Sequence, residues 1–297
     1  MPTDSSAAKI PRTGFPLVSI GLPVYNEARF IEASLASLRN QDYPNLEIII
    51  SDNASTDNSL EICKRHGAED DRIRIETLAE NQGAIANFRR TLDLANGEFF
   101  MWASGHDLWS PDLVSSCVAE LQENGNACLA FASSHWIGAQ GEALMRSSGW
   151  TDTRGLSAVA RLFTIFWGNM HPILGVMRMS QLRACRPLLN ITGSDLVLLS
   201  DMVLRGDFVH ALQPSWYRRE FREETEYQAK LDRYASPSVA ISKSRLQRIF
   251  PLLQLPFALN GVVMRSTLPA TDKIATLIAL WSSFLPRYLV GRRKNFP

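Results

Sequence analysis

The chain has 297 residues, of which 45% are hydrophobic and 21% are charged. These values exclude a disordered chain and suit one large domain with an appendage. The formal net charge of +1 is unevenly distributed, because residues 244–297 hold eight Lys or Arg and a single acid, Asp272. That segment carries +7 and leaves −6 for the remainder, which makes a basic tail on an acidic body.

The first 132 residues alternate between strand and helix patterns. Predicted strands cover residues 17–22, where Pro23 ends the first strand, and residues 46–51, 73–78, 98–102 and 128–132. Predicted helices cover residues 27–39, a segment around 60–63, residues 84–95, and a segment that begins at Ser110–Pro111 with Ser110 as N-cap. This alternation predicts an α/β fold with right-handed crossovers and a mostly parallel sheet flanked by helices.

Cysteine usage and the amino-terminal segment favour a cytoplasmic location. Cys63, Cys117, Cys128 and Cys185 include no CxxC pair, which favours free buried thiols in a reducing compartment. Residues 1–15 are interpreted as a flexible leader, because they lack the apolar region of a signal peptide. No stretch reaches the roughly 20 apolar residues that a membrane-spanning helix needs.

Polar clusters follow four of the predicted strands. They are residues 25–27, 52–53, 80–83 and 106–107. Because parallel strands end at one edge of the sheet, these clusters predict a ligand site there. The sequence has no GxGxxG after the first strand and no GxxxxGK[ST], which disfavours a dinucleotide dehydrogenase and a P-loop enzyme. A bound nucleotide must therefore be held by side chains.

Five segments together resemble the family 2 glycosyltransferases, which are inverting enzymes with a GT-A fold, and the chain looks like a bacterial member. The segments are residues 18–27, 49–57, 81–83, 95–99 and 107–111. The resemblance is strong over residues 17–111 and weaker to about residue 222. It implies a Rossmann-like GT-A domain over residues 16–235, followed by a basic, amphipathic helical extension over residues 236–297.

The resemblance also implies an activity. A hexosyltransferase of this kind would move a sugar from a nucleotide-diphosphate sugar to a hydroxyl of a saccharide or lipid-linked acceptor, in polysaccharide or lipid-linked glycan synthesis. Nucleic acid is not an expected partner, because the body is acidic and no nucleic-acid-binding motif is present. The alternative is a non-catalytic sugar-nucleotide-binding protein whose metal motif has degenerated.

By the same resemblance, several residues would bind the nucleotide sugar. Tyr25 would flank the base, Asp52 would accept a hydrogen bond from a ring N–H, and Glu27 would lie near the ribose. A carboxylate suits the imide donor of uracil or guanine, although Asp52 could instead cap a turn or helix. The remaining residues expected to bind the nucleotide sugar are Pro23, Asn53, Asn81, His106, Arg218 and Arg219.

The expected metal motif departs from the family pattern. Asp107 matches the last acid of the family's acidic triplet, whereas His106 and Ser104 stand where other acids are common. Asp107 is the predicted ligand of a Mg²⁺ or Mn²⁺ ion that would bridge the two phosphates, and a neighbouring His favours Mn²⁺. The alternative for His106 is a hydrogen bond to phosphate or sugar.

The resemblance places the general base of an inverting transfer at the start of a later helix. Asp195 is the best match and Asp201 is its rival further along the same helix. The alternative for Asp195 is a helix N-terminal carboxylate stabilised by the macrodipole. Arg218 or Arg219 would stabilise the departing diphosphate, or the two would form a solvated basic pair beside nearby glutamates.

The basic tail contains a predicted amphipathic helix. One apolar face is formed by Ile274, Leu277, Ile278, Trp281 and Leu285. Such a helix, with Trp and flanking basic residues, is typical of an interfacial anchor, here at the inner face of the cell membrane. The alternative is a helix pair that packs on the catalytic domain or on a second subunit.

Overall fold

A computed structural model describes residues 14–146, 152–168, 172–221 and 254–292. Its strands are β1 (Val18–Val24), β2 (Leu46–Asp52), β3 (Ile73–Thr77), β4 (Phe99–Trp102), β5 (Leu108–Trp109), β6 (Ala127–Ile137), β7 (Val176–Arg178) and β8 (Asp207–Arg219). Its helices are α1 (Ile31–Arg39), α2 (Ser59–Glu69), α3 (Ala84–Asp93), α4 (Leu113–Glu123), α5 (Ala158–Trp167), α6 (Met179–Ala184), α7 (Ser194–Val203), α8 (Gln254–Arg265) and α9 (Ala270–Arg292), with a 3₁₀ turn at Pro172–Leu174.

These strands form one sheet in the order β3-β2-β1-β4-β7-β6-β8-β5. The pairs β3–β2, β2–β1, β1–β4 and β6–β8 are parallel, whereas β7 is antiparallel to both β4 and β6. The carboxyl ends of β1, β2, β4, β6 and β8 therefore meet at one edge, which we call the carboxyl edge. The predicted mostly parallel α/β sheet is confirmed.

Helices cover both faces of the sheet. One apolar cluster joins α1, α2 and α4 to one face and includes Leu35, Cys63 and Val118. The other joins α3, α5, α7 and α8 to the opposite face and includes Phe100 and Phe166. This two-sided burial explains the continuous apolar run of β2.

All four cysteines are buried and free, as predicted. Burial, with a smaller contribution from the charge of Asp52, raises the pKa of the Cys63 thiol to about 12. A thiol that stays protonated at neutral pH is a poor metal ligand and a poor nucleophile.

Several element boundaries differ from the predicted ones, and three of the differences have a clear physical cause. β1 runs through Pro23, because the pairing of β4 ends at Gly21 and the missing N–H of Pro23 meets no strand there. The predicted cap at Ser110 is wrong, since the backbone N–H of Ser110 bonds to Ser215 in β8 and α4 begins only at Leu113. β6 extends five residues past its predicted end at Ala132, because β8 pairs with it throughout.

The described part of the carboxyl-terminal extension packs on the main domain. Leu255, Leu259 and Val263 of α8 and Leu280 of α9 are buried in the cluster that contains α7. None of the helices among the described residues is long and apolar enough to cross a membrane. The predicted domain boundary at residue 235, and the leader up to residue 13, lie outside the described residues.

Candidate active site

Hydrogen bonds tie the loop after β1 to the loop after β2 at the carboxyl edge. They run from Asn26 N to Ser55 Oγ (3.0 Å), from Thr56 N to Asn26 Oδ1 (2.8 Å), from Glu27 N to Ser59 Oγ (2.7 Å) and from Ala28 N to Asp57 Oδ2 (3.0 Å). Although partial burial raises it, the hydrogen bonds from Ser59 and Ala28 hold the pKa of the Asp57 carboxyl below its usual value. The two loops are therefore held as one unit.

The same two loops contain left-handed backbone at residues other than glycine. Asn26 has φ of 54° and Ala54 has φ of 58°. Ala rarely adopts this region, and such strain persists only where surrounding contacts enforce it. Because this strained backbone lies at the carboxyl edge, we identify the two loops as the candidate site.

The carboxyl group of Asp52 lies at the end of β2 and is only 2% exposed. Its Oδ2 accepts a hydrogen bond from Ser55 N at 3.1 Å. Its Oδ1 is buried and has no hydrogen-bond partner within the described parts of the chain. A buried acceptor of this kind is stabilised when a ligand supplies a donor.

A network of side-chain amides borders Asp52. Asn53 Nδ2 donates to Asn81 Oδ1 at 2.9 Å, and Asn53 Oδ1 accepts from Gln82 N at 2.9 Å. Asn81 Oδ1 also accepts from Gly83 N at 2.8 Å. The predicted residues Asn53 and Asn81 thus meet, and their hydrogen bonds join the loops that follow β2 and β3.

Asn87 is a site residue that the sequence analysis missed. Its buried side chain donates from Nδ2 to Val24 O at 3.3 Å and to Ser51 O at 2.9 Å, joining α3 to the ends of β1 and β2. No local pattern in the sequence identifies Asn87, because packing decides which side of α3 faces the sheet.

Pro23 lies in β1, and Tyr25 follows directly after the last residue of that strand, Val24. The side chain of Tyr25 is 42% exposed, which leaves its ring accessible to a planar ligand group. Pro23 pairs in register with Ser51, one residue before the end of β1. These positions agree with a base-binding role, which stays a prediction.

A second polar group lies beside the first and contains Glu27, His106 and Asp107. His106 Nδ1 lies 3.1 Å from Glu27 Oε1, and His106 Nε2 lies 4.0 Å from Asp107 Oδ1. The His106 ring also contacts the ring of Phe221, with 5.1 Å between centroids. His106 is thereby held between two acidic side chains.

Asp107 is buried and makes two hydrogen bonds to β8. Its Oδ2 accepts from the indole Nε1 of Trp216 at 3.0 Å, and its Oδ1 accepts from Arg219 N at 2.9 Å. Trp216 was not predicted as a site residue, because its partner is 109 positions away in the chain. Asp107 thus joins the loop after β4 to β8.

The guanidinium group of Arg219 bonds to backbone carbonyls. It donates to His106 O at 2.8 Å, Gly138 O at 3.0 Å and Ala139 O at 3.2 Å. Burial, partly opposed by the charge of Asp107, lowers the pKa of Arg219 from its ordinary value. A partly buried cation whose described side-chain bonds go to carbonyls favours an anionic ligand nearby.

Arg218 faces aromatic rings instead. Its guanidinium carbon lies 4.2 Å from the ring centroid of Trp136 and 5.8 Å from that of Trp216. Arg146 approaches the same Trp136 ring at 5.2 Å. A direct role of Arg218 at a diphosphate stays a prediction.

The described residues do not fit a resident metal centre. Within them, no group of three or more His, Cys, Asp or Glu side chains could hold a metal ion. Glu27 is paired with His106, and both oxygens of Asp107 accept hydrogen bonds from the protein. Mg²⁺ and Mn²⁺ need several oxygen donors or waters. The predicted Asp107 ligand therefore stays a prediction, because the described contacts are those of a structural carboxylate.

Asp195 and Asp201 have different surroundings on α7. Asp201 is buried and accepts from Arg186 N at 3.0 Å and from Arg205 Nε at 3.1 Å, which is a structural role. Asp195 lies in the first turn of α7 after Gly193, which has φ of 82°. Helix α7 contacts the 3₁₀ turn that precedes β7 at the carboxyl edge.

The described hydrogen bonds and ion pairs thus assemble two groups of predicted residues. One contains Asp52, Asn53 and Asn81, and the other contains Glu27, His106, Asp107 and Arg219. The loop bonds of Asn26 and Glu27 join the groups. No described contact joins Asp195 to either group.

Comparison with known sequences identifies related proteins. Residues 19–173 match the model of a family described as Glycosyl transferase family 2. The putative teichuronic acid biosynthesis glycosyltransferase TuaG of Bacillus subtilis is 32% identical over 112 residues, 38% of this chain and 44% of TuaG. The glycosyltransferase GlyG of Streptococcus pneumoniae is 31% identical over 108 residues, 36% of each chain. The matched part thus spans less than half of the length of these relatives.

Solved structures of other proteins share the fold. The S. aureus TarS 1-349 structure in complex with UDP-GlcNAc aligns with a TM-score of 0.67 and 17% identity over 95% of this chain and 74% of that one. The mannosyltransferase PcManGT from Pyrobaculum calidifontis, in complex with GDP-Man and Mn2+, aligns with a TM-score of 0.55 and 19% identity over 96% and 89%. At these identities the likeness shows the fold alone, and the predicted GT-A fold is confirmed.

Proposed function

This chain belongs to glycosyl transferase family 2, and on that premise we propose that it transfers a sugar from a nucleotide-diphosphate sugar to an acceptor hydroxyl. The observation that carries the proposal is the buried Oδ1 of Asp52, which has no hydrogen-bond partner within the described residues, together with the exposed ring of Tyr25, which follows the β1 residue that pairs with Asp52. Together they offer one hydrogen-bond acceptor and one stacking surface at the carboxyl edge, which suits a nucleobase.

We propose uracil as the base. The imide of uracil presents a single N–H, whereas guanine presents a ring N–H and an exocyclic amino group together. Asp52 has one oxygen left, because Oδ2 already accepts from Ser55 N. The nearby amide oxygens of Asn53 and Asn81 are also engaged. Within the described residues, Oδ1 of Asp52 is therefore the carboxylate oxygen that remains for the single imide donor of uracil.

In the proposed transfer, Asp195 acts as the general base. Its carboxylate takes the proton of the acceptor hydroxyl as that oxygen forms a bond to the anomeric carbon. The bond between the anomeric carbon and the phosphate oxygen breaks, and the nucleoside diphosphate leaves with the electron pair. Attack from the opposite side inverts the anomeric configuration. The first turn of α7 suits a carboxylate, because the helix dipole favours negative charge there.

Arg219 and His106 are proposed to meet the diphosphate. Arg219 is a partly buried cation, and His106 lies next to it through the bond from Arg219 Nε to His106 O. Positive or donor groups at this place stabilise the charge that develops on the leaving group. Asp107 is a positioning residue, because it fixes Trp216 and the backbone of Arg219.

The acceptor is proposed to be a growing saccharide, free or linked to lipid. The role printed for the relative TuaG, teichuronic acid biosynthesis, supports this class. A hexose is the proposed sugar. The four free buried thiols support the cytoplasmic side of the cell membrane as the place of action, because disulfides are rare in that compartment.

The test is a turnover assay with a matched pair of variants on α7. The purified chain is incubated with a panel of UDP- and GDP-sugars, and release of the nucleoside diphosphate is measured. Asp195→Asn should reduce the rate by about 10² to 10⁴, the usual contribution of a general base, and lose no more than about 1 kcal/mol of stability, the usual contribution of a first-turn carboxylate. Asp201→Asn should lose about 1–3 kcal/mol of stability, because it breaks buried bonds, and keep its rate per folded molecule.

The outcomes separate enzyme from binding protein. Full activity in Asp195→Asn would refute its assignment as base. Nucleotide binding by the wild type, without turnover of any donor, would favour the non-catalytic alternative.

A further inference from the structure

Helices α8 and α9 present an apolar surface to solvent, which we call the outer hairpin face. It consists of Phe257 and Met264 of α8 and Ile274, Ile278 and Trp281 of α9, with exposures of 61%, 54%, 60%, 66% and 43%. The rings of Phe257 and Trp281 are in contact, with 5.3 Å between centroids. The Lys273 ammonium donates to Met264 O at 3.1 Å near the other end. The two helices thus expose one joint surface.

This face is not needed to hold the helices on the domain. The buried side of the pair is formed by other residues, Leu255, Leu259 and Val263 of α8 and Thr276 and Leu280 of α9. Five of the twelve large hydrophobic residues exposed within the described ranges nevertheless lie on the outer hairpin face. A clustered apolar surface on an otherwise soluble fold marks a contact site.

The net charge of the sequence segment that carries the face indicates what it contacts. Within residues 254–292, Arg265, Lys273, Arg287 and Arg292 stand against a single acid, Asp272. Four further basic residues lie in the adjoining sequence, namely Arg245, Arg248, Arg293 and Lys294. Two copies of so basic a segment would repel each other, whereas a negatively charged surface would attract it.

We propose that the outer hairpin face docks on the surface of an anionic lipid bilayer. Ile274, Ile278 and Phe257 would enter the boundary between headgroups and acyl chains, and Trp281 would lie at headgroup depth with its N–H in a polar layer. The basic residues would face the phosphate groups. The face lies on the domain's own helices, so docking would hold the whole domain at the membrane.

The test uses the full chain and vesicles of two compositions. Wild-type protein should sediment with vesicles that contain phosphatidylglycerol, bind pure phosphatidylcholine at least tenfold more weakly, and be released at high salt. Ile278→Glu should weaken binding to the anionic vesicles at least tenfold. Leu212→Glu is the matched control, because Leu212 is 72% exposed on β8, and its binding should stay within twofold of the wild type.

Three results would overturn the proposal. They are no sedimentation of the wild type with anionic vesicles, unchanged binding of both Ile278→Glu and Ile274→Glu, and a wild-type dimer that Ile278→Glu dissociates in the absence of vesicle binding. The last would assign the face to a second copy. Circular dichroism checks the fold of each variant. Vesicle binding does not depend on turnover, so its failure is distinguishable from failure of the proposed transferase activity.

Discussion

The indole N–H of Trp216 donates a hydrogen bond to Oδ2 of Asp107 over 3.0 Å, and both side chains are buried. This bond joins β8 to the loop that carries His106, across two strands that are antiparallel neighbours. Asp107, whose role as a metal ligand stays a prediction, is thus also a structural link at the edge of the site.

Replacing Trp216 with Phe should show how much the hydrogen bond to Asp107 contributes to the free energy of unfolding. The variant leaves a buried carboxylate oxygen without its donor, and we expect a loss of about 1–3 kcal/mol relative to a control. Trp109→Phe is the control, because Trp109 is also buried and its Nε1 has no hydrogen-bond partner among the described residues. Urea unfolding measures both variants. Equal losses would show that the bond to Asp107 adds no stability.

Asp52→Asn should weaken UDP binding by about 30- to 100-fold, an effect of roughly 2–3 kcal/mol. Since Ser55 N requires an oxygen acceptor, the new amide must turn its NH₂ toward the ligand, where it meets the imide N–H. Isothermal titration calorimetry measures the dissociation constant.

Asp70→Asn controls for the loss of a carboxylate. Asp70 pairs with Arg72 before β3, at the opposite edge of the sheet. The hydrogen bond from Arg72, partly opposed by burial, lowers the pKa of Asp70. We expect this variant to lose stability and to bind UDP like the wild type. Equal affinities for UDP in Asp52→Asn and Asp70→Asn would remove Asp52 from the base pocket.

Stability should fall as the pH is lowered below about 6.5. Burial, partly opposed by the charge of Asp152, lowers the pKa of His210 below its ordinary 6.5. The unfolded chain therefore takes up the proton first, so the contribution is complete above pH 6.5 and is lost as the pH falls toward the folded pKa.

His210→Gln should flatten that dependence between pH 7 and pH 5. The ring of His210 stacks on Phe131, and its Nε2 lies 3.1 Å from Ser133 Oγ. Because the substitution also removes these contacts, the prediction concerns how the stability of the variant changes with pH, and not its stability at any one pH. His135→Gln, at an exposed position, should keep the wild-type slope. The free energy of unfolding in urea at each pH is the measurement. An unchanged slope in His210→Gln would contradict the prediction.

Mn²⁺ without nucleotide should leave the melting temperature unchanged to within about 1 °C, because a ligand stabilises only where it binds the folded state. The described residues include no group of three or more possible metal-binding side chains. Differential scanning fluorimetry with and without EDTA makes the comparison. A rise of several degrees with Mn²⁺ alone, abolished by His106→Ala, would instead establish a resident metal site.

Part of the site was predictable because parallel strands share an edge. Asp52, Asn53 and Asn81 follow β2 and β3, so their meeting follows from strand order and direction alone. Asn87 lies in a helix whose rotation on the sheet is set by packing, and no local pattern identifies it. Likewise, Asp195 and Asp201 are equivalent as acids on one helix until their neighbours are known.

The carboxyl-terminal helices also show that sequence periodicity alone does not determine which side of a helix is buried. The periodicity of the tail predicted an apolar face that includes Ile274, Ile278 and Trp281, and those side chains are exposed. The helix rests on the domain through Thr276 and Leu280 instead, and Phe257 of α8 completes the outer face. Which side of a helix is covered depends on the neighbour that covers it.

By itself, the sequence determined the α/β class, the strand-end clusters, the family resemblance and the charge division between body and tail. These features depend on periodicity and on residues close in the chain. Only the tertiary structure decided that Asp107 bonds to Trp216, that Asp201 is structural, and that one oxygen of Asp52 has no hydrogen-bond partner in the described part of the chain. Each of these depends on which donors lie around a buried carboxylate, and packing decides that rather than local sequence.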